Sequence, residues 1–261
     1  MDLGLNNKKA LVVGASRGLG AAIAQTLAKE GATVFAAARS VDKIEAWIAE
    51  LPTEVRGRVS ALQLDTGDLA QVEAVADKLL AQGGVDVLVN NTGGPPPGVA
   101  KEVRRDAWIT QFQSMAANLF HLTQRLLPPM QERKWGRIIT VASSGIEQPI
   151  PNLALSNGIR SAVLGWSKTL ATEVAADGIT VNMVLPGRIQ TERIGQLDKA
   201  NADRLNVTVE KIAQSAISQI PAGRYGAPQE FANVVAFLAG EPASYVTGSK
   251  IRIDGGATRG V

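Results

Sequence analysis

No cysteine occurs in the 261 residues, and there is a single histidine, His121. These two absences exclude a disulfide framework, a thiolate nucleophile and a metal site built from cysteine or clustered histidine. Aromatic residues are scarce as well, at 4% of the chain, with only two tyrosines, Tyr225 and Tyr245. A phenol for acid–base chemistry therefore has only two places to come from. No apolar run approaches the roughly 18 residues that a membrane span requires, and Met1–Lys9 lacks the apolar core of a signal peptide. Lys and Arg number 27 against 24 Asp and Glu, a formal charge of +3. They are scattered along the chain, so no basic stripe marks a nucleic-acid surface. The expectation is a soluble, cytoplasmic protein without metal, nucleic-acid or membrane partners.

What the chain does contain is a regular alternation. Short aliphatic or β-branched runs at Ala10–Val13, Thr33–Ala37, Val59–Leu64, Val85–Asn90, Arg137–Val141, Thr180–Val184 and Lys250–Ile253 alternate with longer helical patterns. Such alternation predicts an α/β fold, a doubly wound parallel sheet of about seven strands flanked by helices. With 45% hydrophobic residues, the chain buries enough to form one domain over 1–261. Ala21–Glu30 reads as a helix closed by Gly31, the residue type that tolerates a left-handed cap. Two segments break the rhythm. Gly93-Gly94-Pro95-Pro96-Pro97-Gly98 is a loop stiffened by prolines at a strand's C-terminal end, where ligands of open α/β sheets bind. Gln190–Pro221 is a polar helical stretch too long for a simple connection, and it reads as a substrate-side lid at about 190–221.

The chemistry-bearing motif is Gly14-Ala15-Ser16-Arg17-Gly18-Leu19-Gly20, between the first strand and the first helix. Glycines at this spacing let the backbone approach a pyrophosphate, and the helix N-terminus supplies amide donors and partial positive charge. The second strand ends Ala37-Ala38-Arg39-Ser40, with no acidic side chain to grip a ribose 2′-hydroxyl. Arg39 and Arg17 are suited instead to a 2′-phosphate, which favours NADP(H), with NAD(H) as the alternative.

On these residues the chain resembles the short-chain dehydrogenase/reductase family, in its 3-oxoacyl-carrier-protein-reductase-like branch, over nearly its full length. Leu64-Asp65 resembles the adenine contact, and Asn90-Asn91-Thr92-Gly93 is similar to the family's Asn-Asn-Ala-Gly. Pro186-Gly187-Arg188-Ile189-Gln190-Thr191 resembles the nicotinamide-side segment, and Ile253-Asp254-Gly255-Gly256 the C-terminal strand. The resemblance implies a Rossmann-type fold and cofactor contacts at Gly14, Ser16, Arg17, Gly18, Leu19, Gly20, Arg39, Ser40, Asp65, Asn91, Gly93, Pro186, Gly187, Ile189 and Thr191. The family's catalytic tetrad is Asn-Ser-Tyr-Lys. Ser143 fits its serine, but the tyrosine position falls on Ser156, the lysine position on Arg160 and the asparagine position on Met115, with Asn118 one turn later. Neither tyrosine starts a Tyr-x-x-x-Lys: the fourth residue is Gln229 after Tyr225 and Ser249 after Tyr245.

A serine hydroxyl is a far weaker acid than a phenol and is shorter, so Ser156 is no simple replacement. Arg160 keeps the cation, which serves the ribose or a substrate anion as well as catalysis, but it stays protonated and relays nothing. At i,i+4 on one helix, Ser156 and Arg160 are both expected to face the cofactor. Glu147 is the nearby titratable alternative as proton donor, or else a solvated loop carboxylate. His121 reads as a packing or interface residue, and both tyrosines as structural. Three readings stay open: an atypical reductase acting on a carbonyl or hydroxyl substrate, a nucleotide-binding protein without catalysis, and a lyase or isomerase with a structural cofactor. The resemblance also implies a homotetramer built on helices at Met115–Lys134 and Leu155–Ala176.

Overall fold

In the computed structural model, which describes residues 1–260, the apolar runs become seven parallel strands in the order β3-β2-β1-β4-β5-β6-β7. They are β1 (Lys9–Val13), β2 (Thr33–Ala38), β3 (Val59–Gln63), β4 (Val87–Asn90), β5 (Gly136–Val141), β6 (Ile179–Pro186) and β7 (Lys250–Ile253). Every strand from Ala10–Val13 to Lys250–Ile253 lies where the sequence predicts it. The reason is burial on both faces, which demands nearly continuous apolar runs rather than alternating ones. Within β1, Ala10 and Val12 face one helical layer while Leu11 and Val13 face the other.

The first layer is built by α1 (Gly18–Lys29), α2 (Val41–Ala49) and, late in the chain, a helix over Pro228–Ala239. Its core joins Ile23, Leu27, Ile44 and Trp47 to Phe231 and Val235. After the short α3 (Thr53–Arg56), the second layer takes α4 (Leu69–Leu80), α6 (Asn118–Glu132) and α7 (Ala154–Val174), with Val72, Leu79, Leu122, Leu126 and Val174 packed on the sheet. The remaining helices are α5 (Arg105–Phe112), α8 (Glu192–Leu205), α9 (Val209–Ile217) and α10, the Pro228–Ala239 helix already described. No helix among the described residues is long and apolar enough to cross a membrane.

Two expectations are refined. The helix predicted from Met115 begins instead at Asn118, because Gln113–Ala117 forms a π-helical turn between α5 and α6. The stretch 190–221 is helical as expected, as α8 and α9, joined where Asn206 takes a left-handed conformation at φ 52°. Gly31, at φ 98°, ends α1 as its residue type implied. The proline loop is pinned: Gly98 N donates to Asn152 O at 2.7 Å, and Ala154 N donates to Gly98 O at 3.2 Å, at the start of α7.

The chain runs β1 to β2 to β3 toward one edge and then returns to β4 on the other side of β1. That reversal leaves a crevice beyond the C-terminal ends of β1 and β4. Gly20 sets how closely α1 closes on this crevice. A Cβ at Gly20 would lie 2.2 Å from Gly14 O, whereas one at Gly195 in α8 meets nothing within 4 Å. Gly20→Ala should therefore destabilise by about 2–3 kcal/mol and lower Tm by roughly 5–10 °C. Gly195→Ala should raise Tm slightly, because it replaces a helix-interior glycine at no steric cost. Thermal unfolding of the two variants checks both directions.

Candidate active site

The glycine loop is held at its carbonyls. Asn91 Nδ2 donates to Val13 O and Gly14 O, both at 3.2 Å, and Trp47 Nε1 donates to Ala15 O at 3.0 Å. Ala15 N donates to Ala37 O at 3.1 Å, which ties the loop to β2. With its carbonyls occupied on the protein side, the loop leaves the first-turn N–H groups of α1 without acceptors. Arg17 stands at the N-cap in extended conformation and makes no side-chain cap. Gly14 and Gly18 adopt φ 69° and 56°, which keeps side chains out of the groove. Ser16 and Leu19 are half-buried in the same turn. Free amides over a groove without side chains suit a diphosphate.

Arg39 is exposed immediately after β2, Ser40 follows at the N-cap of α2, and no carboxylate stands at this strand end. Arg17 is ion-paired with Glu192 in the first turn of α8. Asp65 lies beyond β3, its Oδ1 accepting from Gly67 N at 2.9 Å in a tight turn. Gly93 borders the crevice with open space where a side chain would project. On the far side, Gly187 packs so tightly on β7 that a Cβ would meet Asp254 Cα at 2.6 Å. Pro186 ends β6, Ile189 is buried, and Thr191 Oγ1 caps α8 by accepting from Ile194 N at 3.4 Å.

Ser143 follows β5 by two residues, and its Oγ accepts from Gly145 N at 3.1 Å. That acceptance leaves its O–H free to donate. Ser156 and Arg160 occupy the first two turns of α7 and both are buried. Arg160 Nη1 donates to Val141 O at 2.8 Å, so the guanidinium lies under the end of β5. It lines a cavity of about 10 Å³ with Asn90, Thr92, Met115 and Thr140. That volume suits a single water, not a substrate carboxylate or phosphate. Burial, with Arg193 adding like-charge repulsion, lowers the Arg160 pKa to about 10. It remains a cation at neutral pH.

Met115, expected at the tetrad's asparagine position, lies buried inside the π-helical turn and brings an apolar side chain there. Asn118 is no substitute, since Nδ2 donates to Thr66 O at 2.7 Å, away from Ser143. His121 joins Glu73 and Arg125 between α4 and α6. Glu147, considered as a proton donor, accepts from Lys250 Nζ at 2.8 Å and from Arg252. Burial pushes its carboxyl up, but the hydrogen bonds and charges of the two cations outweigh that and hold it below the ordinary value. It is therefore a fixed anion tying this loop to β7. Tyr225 is equally committed, donating to Asp198 Oδ2 at 2.9 Å, with Arg188 Nη1 2.5 Å from Asp198 Oδ1. Burial and the bond to Asp198 raise its pKa. Tyr245 is fully exposed.

Trp47, Glu192 and Arg193 were not found from the sequence. Trp47 carried a signal, as a bulky residue on the apolar face of the helix after β2. Glu192 and Arg193 carried none, since their partners Arg17 and Pro95 are remote in the chain.

A family model described as enoyl-(acyl carrier protein) reductase matches residues 14–258. The 3-oxoacyl-[acyl-carrier-protein] reductase of Escherichia coli K12 is 36% identical over 257 residues, 97% of this chain and 98% of that protein. The chain belongs to the short-chain dehydrogenase/reductase family. Among solved members of that family, L-sorbose reductase of Gluconobacter frateurii superposes with TM-score 0.93 at 33% identity, covering 100% of both chains. YwfH, a reductase involved in bacilysin biosynthesis, superposes with TM-score 0.91 at 29% identity, covering 98% of this chain and 100% of its own.

Arg160 is a cation that is costly to bury. Burial brings its pKa down from the ordinary guanidinium value to about 10 in the fold, so the penalty is present at neutral pH and relieved as pH rises above 10. Arg160→Met is expected to raise Tm by roughly 2–4 °C. A fall of that size would show that the bond to Val141 O outweighs desolvation. Glu147 has the opposite sign. Its depressed pKa stabilises the fold above the ordinary carboxylate value of 4.5, and the contribution is lost as pH falls through the lower folded value. Glu147→Gln should lower Tm at pH 7 and flatten the acid limb of the Tm–pH curve.

Proposed function

We propose that this short-chain dehydrogenase/reductase is an NADPH-dependent reductase of a carbonyl substrate, working with a proton source other than the family tyrosine. The observation that carries the reading is the junction of an uncapped α1 N-terminus with a β2 end bearing Arg39 and no carboxylate. Such a pair suits a diphosphate followed by a 2′-phosphate, and NADH offers nothing for Arg39 to hold. L-sorbose reductase was solved with NADPH, and YwfH is NADPH dependent, which supports the same choice.

Gly14, Ser16, Gly18, Leu19 and Gly20 would hold the diphosphate, Arg39, Ser40 and Arg17 the 2′-phosphate, and Asp65 the adenine. Asn91, Gly93, Pro186, Gly187, Ile189 and Thr191 would line the nicotinamide end. Bound cofactor supplies the hydride. Ser143, with its oxygen fixed by Gly145 N, donates its O–H to the carbonyl oxygen and stabilises the charge that develops there. Arg160 keeps positive potential beneath that oxygen, and the proton comes from water. Omitting a general acid costs about 10²–10⁴ in rate, which a reactive carbonyl tolerates. The α8–α9 segment acts as the lid. Assembly is a homotetramer through α6 and α7, favoured by the small exposed side chains of Ser161, Ala162 and Gly165 on α7.

A second reading, cofactor binding without catalysis, draws on one finding: Arg160, Glu147 and Tyr225 all have pKa values displaced from neutrality or committed partners. Titration with NADPH and NADH, followed by nicotinamide fluorescence at low salt, tests the cofactor. NADPH should bind at least about tenfold more tightly. Equal affinities would refute the 2′-phosphate reading. Turnover on a carbonyl panel, lost by 10²-fold or more in Ser143→Ala with NADPH affinity unchanged, separates enzyme from binding protein. Adding the family pair in Ser156→Tyr/Arg160→Lys should raise the rate if the rest of the site is intact.

A further inference from the structure

Arg17 and Glu192 join two parts of the molecule that the cofactor crevice separates. Arg17 belongs to the loop after β1, and Arg39, its expected companion, stands after β2, on the side of β1 away from β4. Glu192 begins α8, which follows β6 in the opposite half of the sheet. Arg17 therefore reaches across the switch point to the start of α8. The two segments approach at the same place, since a Cβ on Gly18 would come within 3.6 Å of the Thr191 side chain. One residue further on, Arg193 Nη2 donates to Pro95 O at 3.1 Å, on the loop after β4. The first turn of α8 thus touches both rims of the crevice.

The Arg17–Glu192 pair is not a fixed structural bridge. The two side chains are 49% and 65% exposed, so the pair is weak and readily exchanged. Arg17 is one guanidinium and can face only one half of the sheet at a time. A phosphate monoester carries about −1.5 to −2 charges near neutrality against −1 for a carboxylate, and it accepts a bidentate guanidinium. A 2′-phosphate at Arg39 wins Arg17, while a ribose 2′-hydroxyl does not.

Resting on the proposed role of Arg17, we infer that Glu192 is a specificity-determining residue: a competitor for Arg17 that only a 2′-phosphorylated dinucleotide displaces, which thereby releases the base of the α8–α9 lid. NADPH pays for the broken pair with a better one. NADH binds with the pair intact, leaving Arg17 on Glu192. Glu192 therefore lowers the affinity for NADPH selectively, and its loss sharpens the preference between the two cofactors.

The test is a double-mutant cycle on the full-length protein, with NADPH and NADH titrated separately at low salt. Glu192→Gln should tighten NADPH by roughly two- to fivefold, the worth of an exposed ion pair, and leave NADH unchanged. In an Arg17→Ala background the same substitution should do nothing to NADPH. Equal tightening of both cofactors would mean that only a general negative charge was removed, and would overturn the inference. So would no change, or weaker NADPH binding. Arg17→Ala alone keeps the two levels apart. If it collapses the NADPH preference while Glu192→Gln is silent, the latch is wrong and the 2′-phosphate reading stands. If Arg17→Ala leaves the preference intact, the proposed role of Arg17 fails and the inference goes with it.

Discussion

The architecture depends on how closely Gly14, Gly20 and Asn91 approach one another at the reversal between β1 and β4. A methyl group on Gly20 would sit inside the contact distance of Gly14 O, and one on Gly14 would lie 2.6 Å from Asn91 O. Because neither position has a side chain, α1 starts at once after β1, and Asn91 can bind both Val13 O and Gly14 O. Those bonds take up carbonyls and leave amides facing the crevice. The polarity of the whole site follows from that accounting: backbone donors line the groove because the acceptors are already occupied.

The second constraint is Arg160. Burying a cation without a carboxylate is expensive, and the fold offers it one carbonyl, Val141 O, and a water-sized cavity. Asn90 Oδ1 and Thr140 Oγ1, both buried and without partners among the described residues, belong to residues lining the same cavity. One water there would connect both to the guanidinium. The arrangement places positive potential under the end of β5, where Ser143 begins, without exposing a second cation to solvent. Met115, from the π-helical turn, lines the same cavity as the guanidinium.

The strands were legible because burial on both faces leaves little choice of residue, and the glycine loop because only glycine fits positive φ and contacts under 3 Å. That Ser156 and Arg160 share the start of one helix was legible from their spacing, but the bond from Arg160 to Val141 O was not. Orientation is decided by which acceptor lies nearest in three dimensions. Glu147 shows the same limit: as a loop residue it looked solvated, yet Lys250 and Arg252 of β7 enclose it. The π-helical turn was hidden because Gln113–Ala117 carries no proline or glycine, and its widening answers packing rather than propensity. Arg17–Glu192 was hidden for a related reason, since long-range ion pairs leave no trace in local pattern.

On the proposed reading, hydride transfer and proton delivery are separable demands, and this chain meets the first more fully than the second. Hydride transfer needs the cofactor fixed and the carbonyl polarised, which depends on the crevice, Ser143 and the buried cation. Proton delivery needs a group that exchanges near neutrality. Burial and Arg193 leave the Arg160 pKa at about 10, well above neutrality, while Lys250 and Arg252 outweigh burial to hold the Glu147 carboxyl below its ordinary value, and burial with the bond to Asp198 raises the Tyr225 phenol. Water remains as the donor, and it serves best when the reduced oxygen is only weakly basic. With water as the donor, the proposed reaction would favour carbonyls activated by electron-withdrawing neighbours over simple ketones, since these need the least help from an acid in the transition state.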